Sequence, residues 1–132
     1  MYTTLFFLCK ISGMSTADFI SYYETKHVPL VNSIVGPENM PLVYKRRYTH
    51  IDDATRTRVR ATKTASRQPI PSEGETVDFD VVTELGFESF EKWEAWVAAL
   101  ARAGQVVAED EDKFLDRARM REHVVEEFVT CG

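Results

Sequence analysis

The stretch STADFISYYETKHVPLVNSIV, residues 15–35, constrains the fold more than any other, because it is a helical pattern with an ionisable residue on its apolar stripe. At the i, i+3, i+4, i+7 spacing, Ala17, Ile20, Tyr23, His27, Leu30, Val31 and Ile34 share one face, and His27 lies in its middle. Ser15 can cap the start, and Asp18 three residues later completes a capping box and suits the positive end of the helix dipole. Pro29 predicts a kink or break just before it, with a second short turn over residues 30–35, since an interior proline lacks a donor and its ring strikes the preceding turn. A break there leaves His27 in the last turn of the first piece. Exposed carbonyls would favour its charged form and burial its neutral one, so its protonation state stays open. A lone histidine on an apolar face is most often a core residue with one satisfied hydrogen bond; position alone does not make it catalytic.

With 132 residues, 44% of them hydrophobic, the chain suits a single domain with a real core. A formal charge of -5 argues against general nucleic-acid affinity, which needs a basic face to release counterions. The apolar run LFFLC is far short of the ~20 residues of a membrane span, and no basic region precedes it as in a signal peptide. The expectation is a soluble cytoplasmic protein in which Cys9 and Cys131 stay reduced.

Along the chain, TTLFFLCKI (residues 3–11) suits a strand buried on both faces, and Gly13 turns it into the capped helix. From Leu42 to Ile51 the pattern alternates, setting Leu42, Tyr44, Arg46, Tyr48 and His50 on one face. Three hydrogen-bonding tips, Tyr44, Arg46 and Tyr48, therefore stand in a row, although charges on an edge strand also serve only to discourage aggregation. Residues 52–75 have no period and read as a long basic loop or flap; between Lys45 and Arg67 the chain spends eight of its 16 basic residues against two acids. Val77 to Phe87 alternates again, with Val77, Phe79, Val81, Thr83 and Leu85 opposite Asp78, Asp80, Val82 and Glu84. Ser89 can cap a second helix with a stripe of Phe90, Trp93, Val97 and Leu100 or Ala101; Gly104 ends it. A short helix is expected over about residues 110–118 and a last strand over 123–131.

This βαββαβ order is the ferredoxin-like α+β plan, one antiparallel sheet with two helices on one face. The other sheet face carries enough apolar residues to predict a face-to-face homodimer. First and last strands are antiparallel neighbours in this plan, which sets Cys9 and Cys131 near opposite ends and speaks against a disulfide.

Residues 10–30, K-I-S-G-M-S-x-x-x-F-x-x-Y-Y-E-x-x-H-V-P-L, resemble the opening of EthD-like proteins of the dimeric α+β barrel superfamily, in which a strand, a G-M-S turn and a helix ending in H-x-P-L recur. The similarity extends over all 132 residues as a single EthD-like domain, through Y-K-R-R-Y, V-D-F-D-V-V-T-E-L and the final V-T-C-G. Such chains resemble small fungal enzymes of polyketide pathways. The resemblance implies a cofactor-free lyase acting on an aromatic polyketide, by decarboxylation, dehydration or ring closure, in a pocket between sheet and helices into which His27 points.

No metal or dinucleotide motif is present, since His27, His50 and His123 are scattered and no C-x-x-C, G-x-G-x-x-G or G-x-S-x-G occurs. Some dimeric α+β barrels bind haem through a histidine, so absorbance is a useful check. In the enzyme reading His27 moves the proton, Tyr44, Tyr48 or Arg46 holds the developing oxyanion or carboxylate, and Asp80 orients the histidine or takes a second proton. Phe7, Phe19 or Tyr23, and Phe79 wall the pocket. A non-catalytic module for a hydrophobic intermediate and a cofactor-free oxygenase on an anthrone-like phenol are the competing readings.

Overall fold

The computed structural model describes residues 1–49 and 79–132; the basic loop 52–75, His50 and the start of the alternating run 77–87 lie outside the described residues. The chain runs through β1 (Tyr2–Leu8), α1 (Thr16–Tyr22), a π turn (Tyr23–His27), α2 (Val28–Val35), a 3-10 turn (Pro37–Asn39) and β2 (Val43–Tyr48). It continues with β3 (Val81–Phe87), α3 (Phe90–Arg102), α4 (Gly104–Glu111), a second 3-10 turn (Arg117–Arg119) and β4 (Arg121–Val125). The strands form one sheet in the order β2-β3-β1-β4, antiparallel throughout, which is the expected ferredoxin-like α+β arrangement. No helix among the described residues is long and apolar enough to cross a membrane.

Local chemistry explains the helix starts. Ser15 Oγ accepts from the Asp18 backbone N–H at 3.1 Å, and Ser89 Oγ accepts from that of Lys92 at 3.3 Å, each satisfying a first-turn donor. Gly13, at φ +85°, makes the turn between β1 and α1 in a backbone region that side chains with a Cβ avoid.

Pro29 does not break the helix. His27 and Val28 keep helical dihedrals, and the Val28 N–H reaches back five residues to the Tyr23 carbonyl. The extra residue in this wide turn shifts the carbonyls that the proline ring would otherwise strike, so the chain passes from α1 into α2 without a break. The π turn also sets the buried face. Phe19, Tyr23, His27, Val31 and Val35 are all buried at a uniform step of four; Tyr23, His27 and Val31 belong to the predicted stripe, whereas its Ile20, Leu30 and Ile34 are half-buried and Ala17 is exposed. In a regular helix that step would wind the stripe by roughly 160° between Phe19 and Val35; one extra residue in the turn brings the drift down to about 60°.

The core lies between the helices and the sheet face carrying Leu8, Val81, Leu85 and Phe87, and it has two parts. One joins Leu8, Phe19, Tyr23, Val81, Phe114 and Leu115; the other joins Val31, Val35, Leu85, Phe87, Trp96 and Ala99. His27 sits at the seam, one turn after Tyr23 of the first part and one turn before Val31 of the second.

Three boundaries differ from expectation. In α3 the buried residues are Trp96 and Ala99, whereas Phe90 and Val97 are exposed, because turning the larger indole inward removes more apolar surface from water. Gly104 opens α4 instead of ending the helical region, and the short helix expected over 110–118 is α4 at 104–111. The last strand stops at Val125, not at 131. Val125 lies opposite Thr3, so on β1 only Tyr2 remains to pair with anything later. Cys9 is buried, Cys131 is exposed, and no disulfide joins them.

Candidate active site

His27 and Asp110 form the centre of the site. Their side chains meet at 2.7 Å, Nδ1 to Oδ2, and both are buried. The Tyr22 hydroxyl donates to the other carboxylate oxygen, Oδ1, at 2.6 Å, so each oxygen of Asp110 has a partner. Asp110 comes from the last turn of α4, and backbone bonds behind it hold that turn against the sheet. Ile11 N–H donates to the Phe114 carbonyl and Asp116 N–H to the Cys9 carbonyl, pinning residues 114–116 beside the end of β1. The Phe114 ring, fully buried, packs 5.0 Å from that of His27 and 5.5 Å from that of Tyr23, centroid to centroid.

Burial pushes the His27 pKa below its usual value, and the hydrogen bond and charge of Asp110 only partly offset this. The ring is therefore neutral near pH 7. Asp110 accepts the Nδ1 proton and so fixes the tautomer in which Nε2 carries a lone pair. The hydrogen bond that the His27 ring makes among the described residues is the one from Nδ1 to Asp110.

His27 lines a cavity of about 100 Å³ that opens at the seam of the core. Its walls are mostly apolar, with Phe6, Leu8, Val31, Leu85, Trp96 and Leu115 prominent, and its polar members are Tyr23, Tyr44, Thr83 and Glu111. Tyr23 Oη shares a 2.6 Å hydrogen bond with Thr83 Oγ1 and is hydrogen-bonded to Tyr44. Burial pushes Tyr23 up to about 12 and Tyr44 well above the ordinary phenol value, so both remain protonated donors. Burial likewise raises the Glu111 carboxyl, although Arg117 pulls it down. No cation lines the cavity among the described residues.

Of the residues singled out from sequence, His27, Tyr23 and Tyr44 meet in this cavity. The others lie elsewhere. Asp80 does not orient His27: its Oδ2 accepts from the Lys10 backbone N–H at 2.8 Å, at the end of β1. Arg46 and Tyr48 share the helix-facing side of β2 with Tyr44, but their tips are taken by Glu24 from the π turn. Arg46 Nε and Nη2 donate to the two Glu24 oxygens, both at 2.7 Å, and Tyr48 donates to Oε2. The guanidinium also lies 4.7 Å over the Tyr44 ring. Chiefly through the Arg46 hydrogen bonds, Glu24 is held below the usual carboxylate range. This cluster ties helix to strand and steadies Tyr44; it does not offer a free cation to a ligand.

Phe7 and Phe79 are on the opposite sheet face. Their rings pack 5.0 Å apart, and Phe7 also meets His123 at 5.7 Å. Phe79 precedes the regular part of β3, and the alternation that would have set it beside Val81 fails at Asp80, whose side chain turns to the Lys10 backbone.

Asp110 and Glu111 went unnoticed in the sequence because they belong to the run EDEDK, where any acid reads as solvated. A signal was present. Ala103, Val107, Asp110 and Phe114 follow helical spacing, which puts one acid on an apolar stripe as His27 is on its own.

The fold and the buried His–Asp pair beneath a small cavity define an α+β domain of the ferredoxin-like kind with a site between sheet and helices. The EthD domain profile matches residues 11–118, and the chain belongs to the EthD family. No curated protein sequence matches it significantly. Among solved structures it is similar to the Arabidopsis thaliana protein At3g17210, at TM-score 0.54 and 12% identity, over 99% of each chain. It is also similar to an ethyl tert-butyl ether D (EthD) family protein from Bacillus halodurans C-125, at TM-score 0.54 and 17% identity, over 97% of this chain and 100% of that one. An EthD-like protein from Ralstonia eutropha JMP134 has TM-score 0.52 and 13% identity, over 94% of this chain and 87% of that one. At these identities the likeness is one of fold.

Proposed function

We propose that the chain is a cofactor-independent lyase of the dehydratase or cyclase type, in which His27 removes a carbon-bound proton beside a carbonyl of an aromatic, polyketide-like ligand. The observation that carries this reading is the neutral His27, held through Nδ1 by Asp110, in the wall of an apolar cavity. A positioned base with a depressed pKa suits abstraction of a weakly acidic proton near neutral pH. The linked hydroxyls of Tyr23, Tyr44 and Thr83 line the cavity, and a phenol proton of that chain, turned from its neighbour, is the donor for the enolate oxygen. Decarboxylation is the less favoured alternative, since a carboxylate ligand would meet no cation among the described lining residues, Arg46 being engaged by Glu24. A cavity of about 100 Å³ seats the reacting end of such a ligand and leaves a multi-ring scaffold in the mouth.

The chain is proposed to work as a homodimer closed through the outer sheet face. That face presents Thr3, Leu5, Phe7, Val43 and Val82, which no helix among the described residues covers. Light scattering at several concentrations tests it, and a persistent 15.1 kDa monomer would remove the barrel.

The catalytic reading is tested with phenolic β-hydroxy ketones, followed by mass for loss of water, in wild type and His27→Asn. Asparagine keeps one hydrogen bond but exchanges no proton near pH 7. Turnover is expected to fall roughly a hundredfold with the fold retained. Near wild-type turnover in His27→Asn sinks the reading, and loss of carbon dioxide or gain of oxygen in place of water loss would redirect it.

A further inference from the structure

Two adjacent acids at the end of α4 are used differently. Asp110 has both oxygens occupied by Tyr22 and His27, whereas the half-buried Glu111 lines the same cavity as His27, and what acts on its carboxyl is burial and the charges of Arg117, Asp110 and Asp112 rather than a hydrogen bond. Ionising a half-buried carboxyl at a mostly apolar wall is costly, and the Arg117 charge offsets that cost only in part. We propose that Glu111 is the general acid of this site, delivering a proton to the leaving oxygen of the ligand after His27 has taken one from carbon; this rests on the lyase reading above.

The groups facing Glu111 favour the protonated form. From its own helix and the turn after it come Asp110 and Asp112, which oppose a further negative charge, and Arg117, which favours one. From the π turn and β2 come His27, Tyr23 and Tyr44, which share its cavity and are neutral near pH 7. Burial is the largest influence, and it raises the carboxyl. One cavity thus holds a base whose pKa is pushed down and an acid whose pKa is pushed up, the division of labour that an elimination needs.

The chemistry balances without a cofactor. The C–H bond beside the carbonyl breaks, its proton goes to His27 Nε2, and its electron pair forms the enolate. That pair then forms the carbon–carbon double bond as the β-carbon–oxygen bond breaks, and the oxygen leaves as water with the Glu111 proton. The imidazolium and the Glu111 carboxylate then re-equilibrate by transfer of one proton, restoring both groups.

The probe is the aldol adduct of benzaldehyde and acetone, with its O-acetyl ester as a second substrate. Deuterium exchange beside the carbonyl in heavy water, read by NMR, reports the base alone; appearance of the conjugated enone, read by absorbance, reports elimination. Acetate leaves without an acid, whereas hydroxide does not. For Glu111→Gln, exchange is expected to persist, water loss to fall roughly a hundredfold, and acetate loss to stay within about threefold of wild type. Unchanged water loss overturns the proposal, as does acetate loss that falls as far as water loss, which would mark a packing defect. Wild-type protein that neither exchanges nor eliminates refutes the His27 reading and Glu111's role with it. Exchange in wild type with full water loss in Glu111→Gln leaves His27 standing and removes Glu111 alone.

Discussion

Replacing Asp110 by asparagine removes one charge and almost no volume, so its consequences can be worked from two hydrogen bonds. The amide carbonyl can still accept from His27 Nδ1–H and the amide nitrogen can donate to the Tyr22 oxygen, which keeps the tautomer and the packing. What disappears is the charge assistance in both bonds. Hydrogen bonds to charged groups contribute about 1.5–3 kcal/mol against about 1 for neutral ones, and the Tyr22 bond is only part-buried, so a net loss of about 1–2 kcal/mol is expected. For a chain of this length that corresponds to a melting temperature lower by roughly 3–10 °C. Turnover should fall more than stability, by about a hundredfold, because an imidazolium formed in the reaction no longer faces a carboxylate. The pH profile gives the sharper readout. Asp110 is what holds the His27 pKa up against burial, so the variant's acid limb should move to lower pH. An acid limb that stays in place while turnover falls would show that the titrating group is not His27, and the dyad would be structural.

Thr4 is fully buried on β1 and its hydroxyl has no hydrogen-bond partner among the described residues, so Thr4→Val should raise stability by about 1 kcal/mol; an unchanged or lower urea midpoint contradicts this. Gly13→Ala meets no atom within 4 Å, so its cost is only that of the left-handed backbone at φ +85°, about 1–2 kcal/mol, and a smaller loss by chemical denaturation would show that the turn relaxes. His27 binds its proton less readily folded than unfolded, so between its lowered folded pKa and the ordinary value of 6.5 the unfolded chain holds more protons. Its contribution is therefore present above pH 6.5 and lost as pH falls through the folded value. His27→Gln should flatten that part of the stability profile, and an unaltered slope would contradict the assignment.

Element order and the position of His27 were legible in the sequence because both rest on local pattern: serine caps, a glycine turn, alternating strands. Partners across the sheet were not. The row Tyr44, Arg46 and Tyr48 shares one face of β2 as read, yet two of its three tips end on Glu24, an acid whose position on the π turn no strand pattern announces. Phe7 and Phe79 were placed in the pocket because both are aromatic, and which face of a two-sided apolar strand meets the helices depends on packing that alternation does not encode. Asp80 and Asp110 exchange roles for a similar reason, since a carboxylate's partner is set by where distant backbone arrives: Lys10 N–H for one, His27 for the other.

The π turn joins these observations. A sequence carrying Phe19, Tyr23, His27, Val31 and Val35 at a step of four would carry its apolar stripe well off the sheet if it formed a regular helix, and an i, i+3, i+4 reading therefore caught the middle three and missed Phe19 and Val35 at the ends. Pro29 supplies the reason for the wide turn, and the wide turn turns His27 and Tyr23 toward the same seam in the core. The proline that predicted a break is thus the residue that aligns the site. An uninterrupted α-helix here would have to choose between burying Phe19 and burying Val35. With either one exposed, one of the two core clusters would lose an anchor, and the seam holding the cavity would close or open to water.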